Sequence, residues 1–252
     1  EFRRVLFRSN TAVGREALET NASGSCNTAI GTKALEVITV DSGTAVGACA
    51  LAANTTGPAN TAVGRQSLLD CTTGEQNTAV GFEALKVQDA GADGFNVAVV
   101  YQAGLAISTG INNALIGPNA GDALTTGSNN IVIGYDAQPS ADDVDNEITL
   151  GDANISAFRC ADQSIAALSD ARDKTNVKDS SFGLDFIDSI RPVEFEWDFR
   201  PENMAEAKQG KKRVGFIAQE LQEAMPNGEN EILDLVYEIN EDRIEAKYGN
   251  LI

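Results

Sequence analysis

The sequence predicts a mainly β protein, a repetitive β-roll or β-solenoid shaft followed by a small α+β domain. Three observations predict it. A motif of the form Asn-Thr-Ala-Val-Gly with a following Ala-Leu recurs about every 17 residues through the first 150 positions. Aromatic residues are scarce inside those repeats. After residue 168 the period stops, charges crowd in, and short helix and strand patterns replace it.

The repeats read "NTAVGREAL" (10–18), "NTAIGTKAL" (27–35), "GTAVGACAL" (43–51), "NTAVGRQSL" (60–68) and "NTAVGFEAL" (77–85). Weaker copies follow as "NVAVVYQAG" (96–104), "NNALIGPNAG" (112–121), "NNIVIGYDA" (129–137) and "NEITLGD" (146–152). The repeat glycine stands at 14, 31, 47, 64, 81, 117, 134 and 151, with Val100 in its place in one copy. Self-similarity at such a period is the mark of a solenoid. At roughly 3.3 Å per extended residue, one period accommodates two short strands and two turns per rung. Ala12, Ala29, Ala45, Ala62 and Ala79 recur where a thick core would hold bulky residues, so each roll is thin and buries little apolar surface alone. Several copies packing together, as a homotrimer, is the expected remedy. The asparagines at 10, 27, 60, 77, 96, 112, 129 and 146 read as turn residues whose side chains cap the backbone and stack on one another, with a sugar-binding ladder as the alternative.

The shaft is assigned to 10–151 and a connector to 152–168. The nine residues before it, "EFRRVLFRS", share no pattern with the rest, reverse-translate without a gap into what looks like a sequencing-library adapter, and are set aside as an artefact. Within 169–252, "SFGLDFIDSIRP" reads as a helix with Leu184, Ile187 and Ile190 on one face and Pro192 as its stop. "VEFEW" (193–197) alternates like a strand. "KKRVGFIAQELQEAMP" (211–226) reads as a strand entering a helix, with Ile217, Leu221 and Ala224 on one face. "EILDLVYEINEDRIEAKY" reads as a β-hairpin around "NED".

Net charge is −18, with acidic residues in excess in both parts, which disfavours a nucleic-acid partner. No apolar run approaches the ~18 residues of a membrane span. The chain has no histidine, and its four cysteines at 26, 49, 71 and 160 show no C-x-x-C pair, so no metal or cofactor site is expected. Those cysteines read as free thiols, suited to a reducing compartment.

The repeats resemble the β-roll heads of trimeric bacterial adhesins and the shafts of phage tail fibres. The second part is more specific. "SDARDKTNV", then a helix, then "PVEFEW", then "RVGFIAQELQEAMP", resembles the C-terminal intramolecular chaperone domain of phage tailspikes and tail fibres, the self-cleaving endosialidase type. The resemblance runs from Ser169 to Ile252, and "AKYGNLI" is similar to the start of that family's last helix. It implies a domain that trimerises, sets three chains in register so that the β-shaft folds, and then cuts itself off with a serine–lysine dyad. On that resemblance Ser169 is the nucleophile, Lys174 its base, and Ser169–Asp170 the bond cut. The residue types agree with the role: a buried lysine that loses its proton is a base for a serine hydroxyl, with no histidine required. Asp173 departs from the family's usual apolar residue, and its charge opposes deprotonation of Lys174. Arg172 is read as a structural partner for a carboxylate. Three functions from different classes follow: a self-processing fibre or tailspike of the virion tail, assembled in the host cytoplasm; an uncut trimeric adhesin of the bacterial surface; or the shaft of a glycan-degrading spike whose catalytic head lies elsewhere. Beyond a homotrimer, the partner implied is a host glycan or receptor.

Overall fold

Thr-Ala-Val and its equivalents alternate outward, inward, outward, and a period of two is what an extended strand presents. These triplets form β2 (Thr11–Val13), β3 (Thr28–Ile30), β4 (Thr44–Val46), β5 (Thr61–Val63), β6 (Thr78–Val80), β7 (Val97–Val99), β8 (Ala114–Ile116), β9 (Ile131–Ile133) and β10 (Ile148–Leu150). Each pairs in parallel with the next, Ala12 beside Ala29 and so on to Val132 beside Thr149, making a β-solenoid of about eight turns. A computed structural model describes residues 2–3, 9–89, 91, 93–157, 159, 172, 174–177, 183–196, 198, 210, 212–225, 235–240 and 243–246. It divides the chain into two units, Glu1–Ala153 and Asn154–Ile252. At the first edge of the sheet β1 (Phe2–Arg3) lies antiparallel to β2. An unpaired strand edge accepts any extended segment, so this pairing does not make β1 a rung.

The core of the first unit is a stack of small and medium side chains. Ala29, Ala45, Ala62, Ala79 and Ala98 are fully buried in one column, and Leu35, Leu51, Leu68 and Leu85 in a second. The last rungs exchange the two sizes. Leu115 enters the alanine column, and the leucine column becomes Gly104 and Gly121, where an added Cβ would stand 2.6 and 2.9 Å from the Leu115 methyls. Close packing conserves volume across neighbouring positions, and a bulky residue in one column leaves room for none in the other.

The Ala-Leu stretch is not the second strand that the spacing suggests. Leu18, Leu35, Leu51, Leu68 and Leu85 all have φ near 50°, in the left-handed region, which turns the chain instead of extending it. Its amides still bond to the next rung, as in Leu18 N–H to Ala34 C=O (3.1 Å) and Leu35 N–H to Ala50 C=O (3.1 Å). The strain of such a residue, about 1–2 kcal/mol, is offset by burial of a whole leucine side chain. The repeat glycine is required for a different reason: Gly64 has φ 132°, and a Cβ there would lie 2.4 Å from the Gly81 carbonyl oxygen. Val100 nonetheless occupies this column with φ 95°, and the next ladder bond, Gly117 N–H to Val99 C=O, is 3.1 Å where the earlier ones are 2.6 to 2.7 Å.

From Asn10 to Asn96 the asparagine column is buried, so those residues cannot form a sugar-binding ladder. Asn27, Asn60, Asn77, Asn96 and Asn130 are fully buried and Asn113 nearly so. Each side-chain oxygen accepts the backbone N–H one rung on, as in Asn60 Oδ1 from Asn77 N–H (2.9 Å), and the side-chain amide donates to a turn carbonyl, as in Asn60 Nδ2 to Gly74 C=O (2.6 Å). In the last rungs the ladder runs through Asn113, Asn130 and Glu147, not through Asn112, Asn129 and Asn146. Those three sit one position earlier, exposed, with φ between 59° and 62°. The doublets "NN" and "NE" allow either register, and strand pairing decides it.

In the second unit, α1 (Leu184–Ser189), β11 (Val193–Glu196), β12 (Lys212–Gly215), α2 (Ala218–Ala224), β13 (Val236–Asn240) and β14 (Arg243–Ala246) fall where the sequence places a helix, strand, strand-helix and hairpin. β11 pairs antiparallel with β12, and β13 with β14. Ala218, Leu221, Met225, Leu235 and Val236 form the core, with Phe186 and Ile190 packed on it. The faces of both helices differ from expectation. Leu184 (80% exposed) and Ile187 (52%) point to solvent, while Phe186 and Ile190 face the core; on α2 the core takes Ala218, Leu221 and Met225, leaving Ile217 exposed and Ala224 half-buried.

Candidate functional site

Of the dyad turn, Ser169, Asp170 and Asp173 lie outside the described residues. Lys174 and Arg172 are both exposed, and the chain turns just after them at Asn176, with φ 55°. A lysine that serves as a base must be desolvated, and in the single chain Lys174 is not.

The elements downstream are positioned by a small set of contacts. Arg191, just past α1, makes a two-pronged ion pair with Glu220 of α2, one arm being Nε to Oε2 at 3.2 Å. A planar guanidinium matched to a carboxylate fixes orientation as well as distance. Glu196 and Lys212 face each other across β11 and β12, with an Nζ–Oε1 distance of 3.4 Å. The shallow concavity on that ribbon is lined by Glu194, Phe195, Glu196, Lys212, Arg213 and Val214, none of them a nucleophile paired with a base.

In the solenoid, Cys26 is exposed, Cys49 half-buried and Cys71 buried, all as free thiols; Cys160 lies outside the described residues. Burial, with the nearby charge of Asp89, pushes the Cys71 thiol up to about 12. Around it lies a polar patch in the core that sequence reasoning missed: Asn54 Nδ2 lies 3.8 Å and Gln88 Oε1 3.9 Å from Cys71 Sγ, and Asn54 Oδ1 and Gln88 Nε2 make no hydrogen bond. The signal was one column whose residues run Ile38, Asn54, Cys71, Gln88, Ile107. Asp89 caps the turn beside it, its carboxylate accepting from the backbone N–H groups of Thr72, Thr73 and Gly74 (3.2, 2.7 and 3.0 Å). Burial raises the Asp89 pKa, but the Thr72 hydroxyl, which donates to Oδ2 at 2.5 Å, and these backbone bonds together outweigh it and hold the carboxyl below its ordinary range. The carboxylates of Glu16, Glu19 and Glu36 lie within 4.8 Å of one another, but Lys33 Nζ already pairs with Glu16 (3.3 Å) and Glu36 (3.0 Å). Among the described residues no helix is long and apolar enough to cross a membrane.

Residues 169–228 match the family model described as chaperone of endosialidase. No curated protein and no solved structure matches the chain. The chain thus joins a β-solenoid of about 17-residue rungs to a segment of the endosialidase-chaperone type.

Proposed function

We propose that the chain is the shaft of a phage tail fibre or tailspike, that its C-terminal segment brings three copies into register, and that this segment then releases itself between Ser169 and Asp170. The observation that carries the reading is the order of parts: a solenoid unit that ends at Ala153, then a chaperone match that begins at Ser169 itself. A parallel solenoid has no turn that sets its own register against another copy, and closing long-range pairings is slow, so a separate element that aligns the chains answers a physical need. In this reading Lys174 takes the Ser169 hydroxyl proton as the oxygen attacks the carbonyl carbon of the Ser169–Asp170 bond, returns that proton to the Asp170 amine as the C–N bond breaks, and water then hydrolyses the ester. The reaction waits for assembly, because only packing between chains desolvates Lys174. An uncut shaft is the second reading, favoured by the exposure of Lys174.

Mass spectrometry of the purified full chain tests this. The expected products are a shaft ending at Ser169 and a fragment beginning at Asp170. Ser169→Ala and Lys174→Ala should each leave an assembled, uncut trimer, and Asp173→Leu should cut faster. Cleavage of Ser169→Ala at the same bond would refute the dyad, while an intact wild-type trimer would establish the uncut reading.

A further inference from the structure

The outward columns of the sheet carry no charged residue in any of nine rungs. The first strand position runs Thr11, Thr28, Thr44, Thr61, Thr78, then Val97, Ala114, Ile131 and Ile148; the third runs Val13, Ile30, Val46, Val63, Val80, Val99, Ile116, Ile133 and Leu150. Beside them, the position after the repeat glycine changes from Arg15, Thr32, Ala48 and Arg65 to Phe82, Tyr101, Pro118 and Tyr135. Phe82 and Tyr101 stack with ring centroids 5.5 Å apart, and the Arg65 guanidinium lies over the Phe82 ring at 5.1 Å. The flanking position is thus aromatic or proline beside β6 to β9 and Asp152 beside β10, while the first strand position is threonine up to β6 and apolar from β7 on, where Ile148 is 67% and Tyr135 66% exposed.

We infer that this sheet face is where copies of the chain meet, with β7 to β9 contributing most of the contact. The inference rests on the trimeric reading above and adds the surface and the end that dominate. Three observations support a second copy as the occupant. At a net charge of −18, two copies repel wherever their acidic turns approach, and the outward sheet columns are free of charge. Val100 holds a left-handed backbone suited to glycine while its side chain stands 42% exposed beside the stacked rings, and a strained position that keeps an apolar side chain in solvent is explained when a partner covers it. Nine strands at about 4.8 Å spacing by four residues at about 3.3 Å give a strip of roughly 570 Å², less than the ~800 Å² per partner of a standard interface. A contact of that size holds poorly by itself, which fits a shaft that needs a dedicated assembly segment.

Sedimentation equilibrium of the full chain with Ile116→Glu and Ile133→Glu together tests the face, with Val13→Glu and Ile30→Glu as the narrow-end pair and Val87→Glu, on a turn away from the sheet, as control. The expected result is a dissociation constant raised at least 100-fold by the first pair, about tenfold by the second, and unchanged by the control. Hydroxyl-radical footprinting of the unmodified trimer provides a readout that no folding defect disturbs: Tyr101 and Tyr135 should be protected and Val87 reactive. A wild-type trimer with reactive Tyr101 and Tyr135, or with an undiminished association in the first pair, overturns the face and leaves the trimer standing. A monomeric wild type overturns both.

Discussion

Asn113→Ala breaks the buried asparagine ladder at one rung, and its cost follows from the partners it strands. Asn113 Oδ1 accepts the Asn130 N–H at 3.0 Å, and Asn113 Nδ2 donates to the Gly127 carbonyl at 2.9 Å. Residues 127 and 130 are both buried, and alanine leaves each of these backbone groups without a partner. An unsatisfied buried group costs about 1–3 kcal/mol, so the pair costs about 2–6 kcal/mol. At about 2–4 °C per kcal/mol for a chain of this size, a central loss of about 4 kcal/mol lowers the midpoint by about 8–16 °C. The neighbouring Asn112→Gly is the matched comparison: residue 112 is exposed with φ 59°, glycine accepts that conformation, and the change should stay within about 0.5 kcal/mol. Thermal unfolding of the two variants followed by far-UV circular dichroism reads the difference. If Asn112→Gly loses as much as Asn113→Ala, or Asn113→Ala moves the midpoint by less than about 2 °C, the ladder does not hold the rungs.

Two further expectations concern titration and thiol chemistry. The folded Asp89 carboxyl lies below its unfolded value near 3.8, so its stabilisation is complete above about pH 4 and is lost as pH falls through the folded pKa. Asp89→Asn should lose about 1.5–3 kcal/mol at pH 7 and show a flatter acid limb in denaturant titrations at several pH values; an acid limb as steep as wild type would contradict this. With its thiol buried and its pKa about 12, Cys71 should resist maleimide at pH 8 in the folded chain while exposed Cys26 reacts, as peptide mass mapping would show. Equal labelling of the two would mean that the polar patch at Asn54, Cys71 and Gln88 opens in solution.

Much of the architecture was legible in the chain alone because a solenoid couples each residue to its counterpart one period away. The inward alanines, the repeat glycine and the buried asparagines recur since each contacts its own kind in the next rung, and so the 17-residue period shows without knowledge of anything distant. The ladder could be misread by one position where Asn112 and Asn113 stand together, because composition is the same in both registers and only the pairing of Ala114 with Val97 separates them. Extension could not be distinguished from bending at Leu35 and its equivalents: the strain of a left-handed leucine is accepted only because the core lies on that side. A helix of six residues likewise offers two apolar faces, Leu184 with Ile187 and Phe186 with Ile190, and the one that is buried is chosen by Leu221, Leu235 and Val236, which arrive 30 to 50 residues later. The proposed dyad shows the same division. Its residue types and the five-residue spacing of Ser169 and Lys174 are local and can be read directly, whereas a neutral lysine requires removal of water, and burial is a property of packing that no stretch of sequence contains by itself.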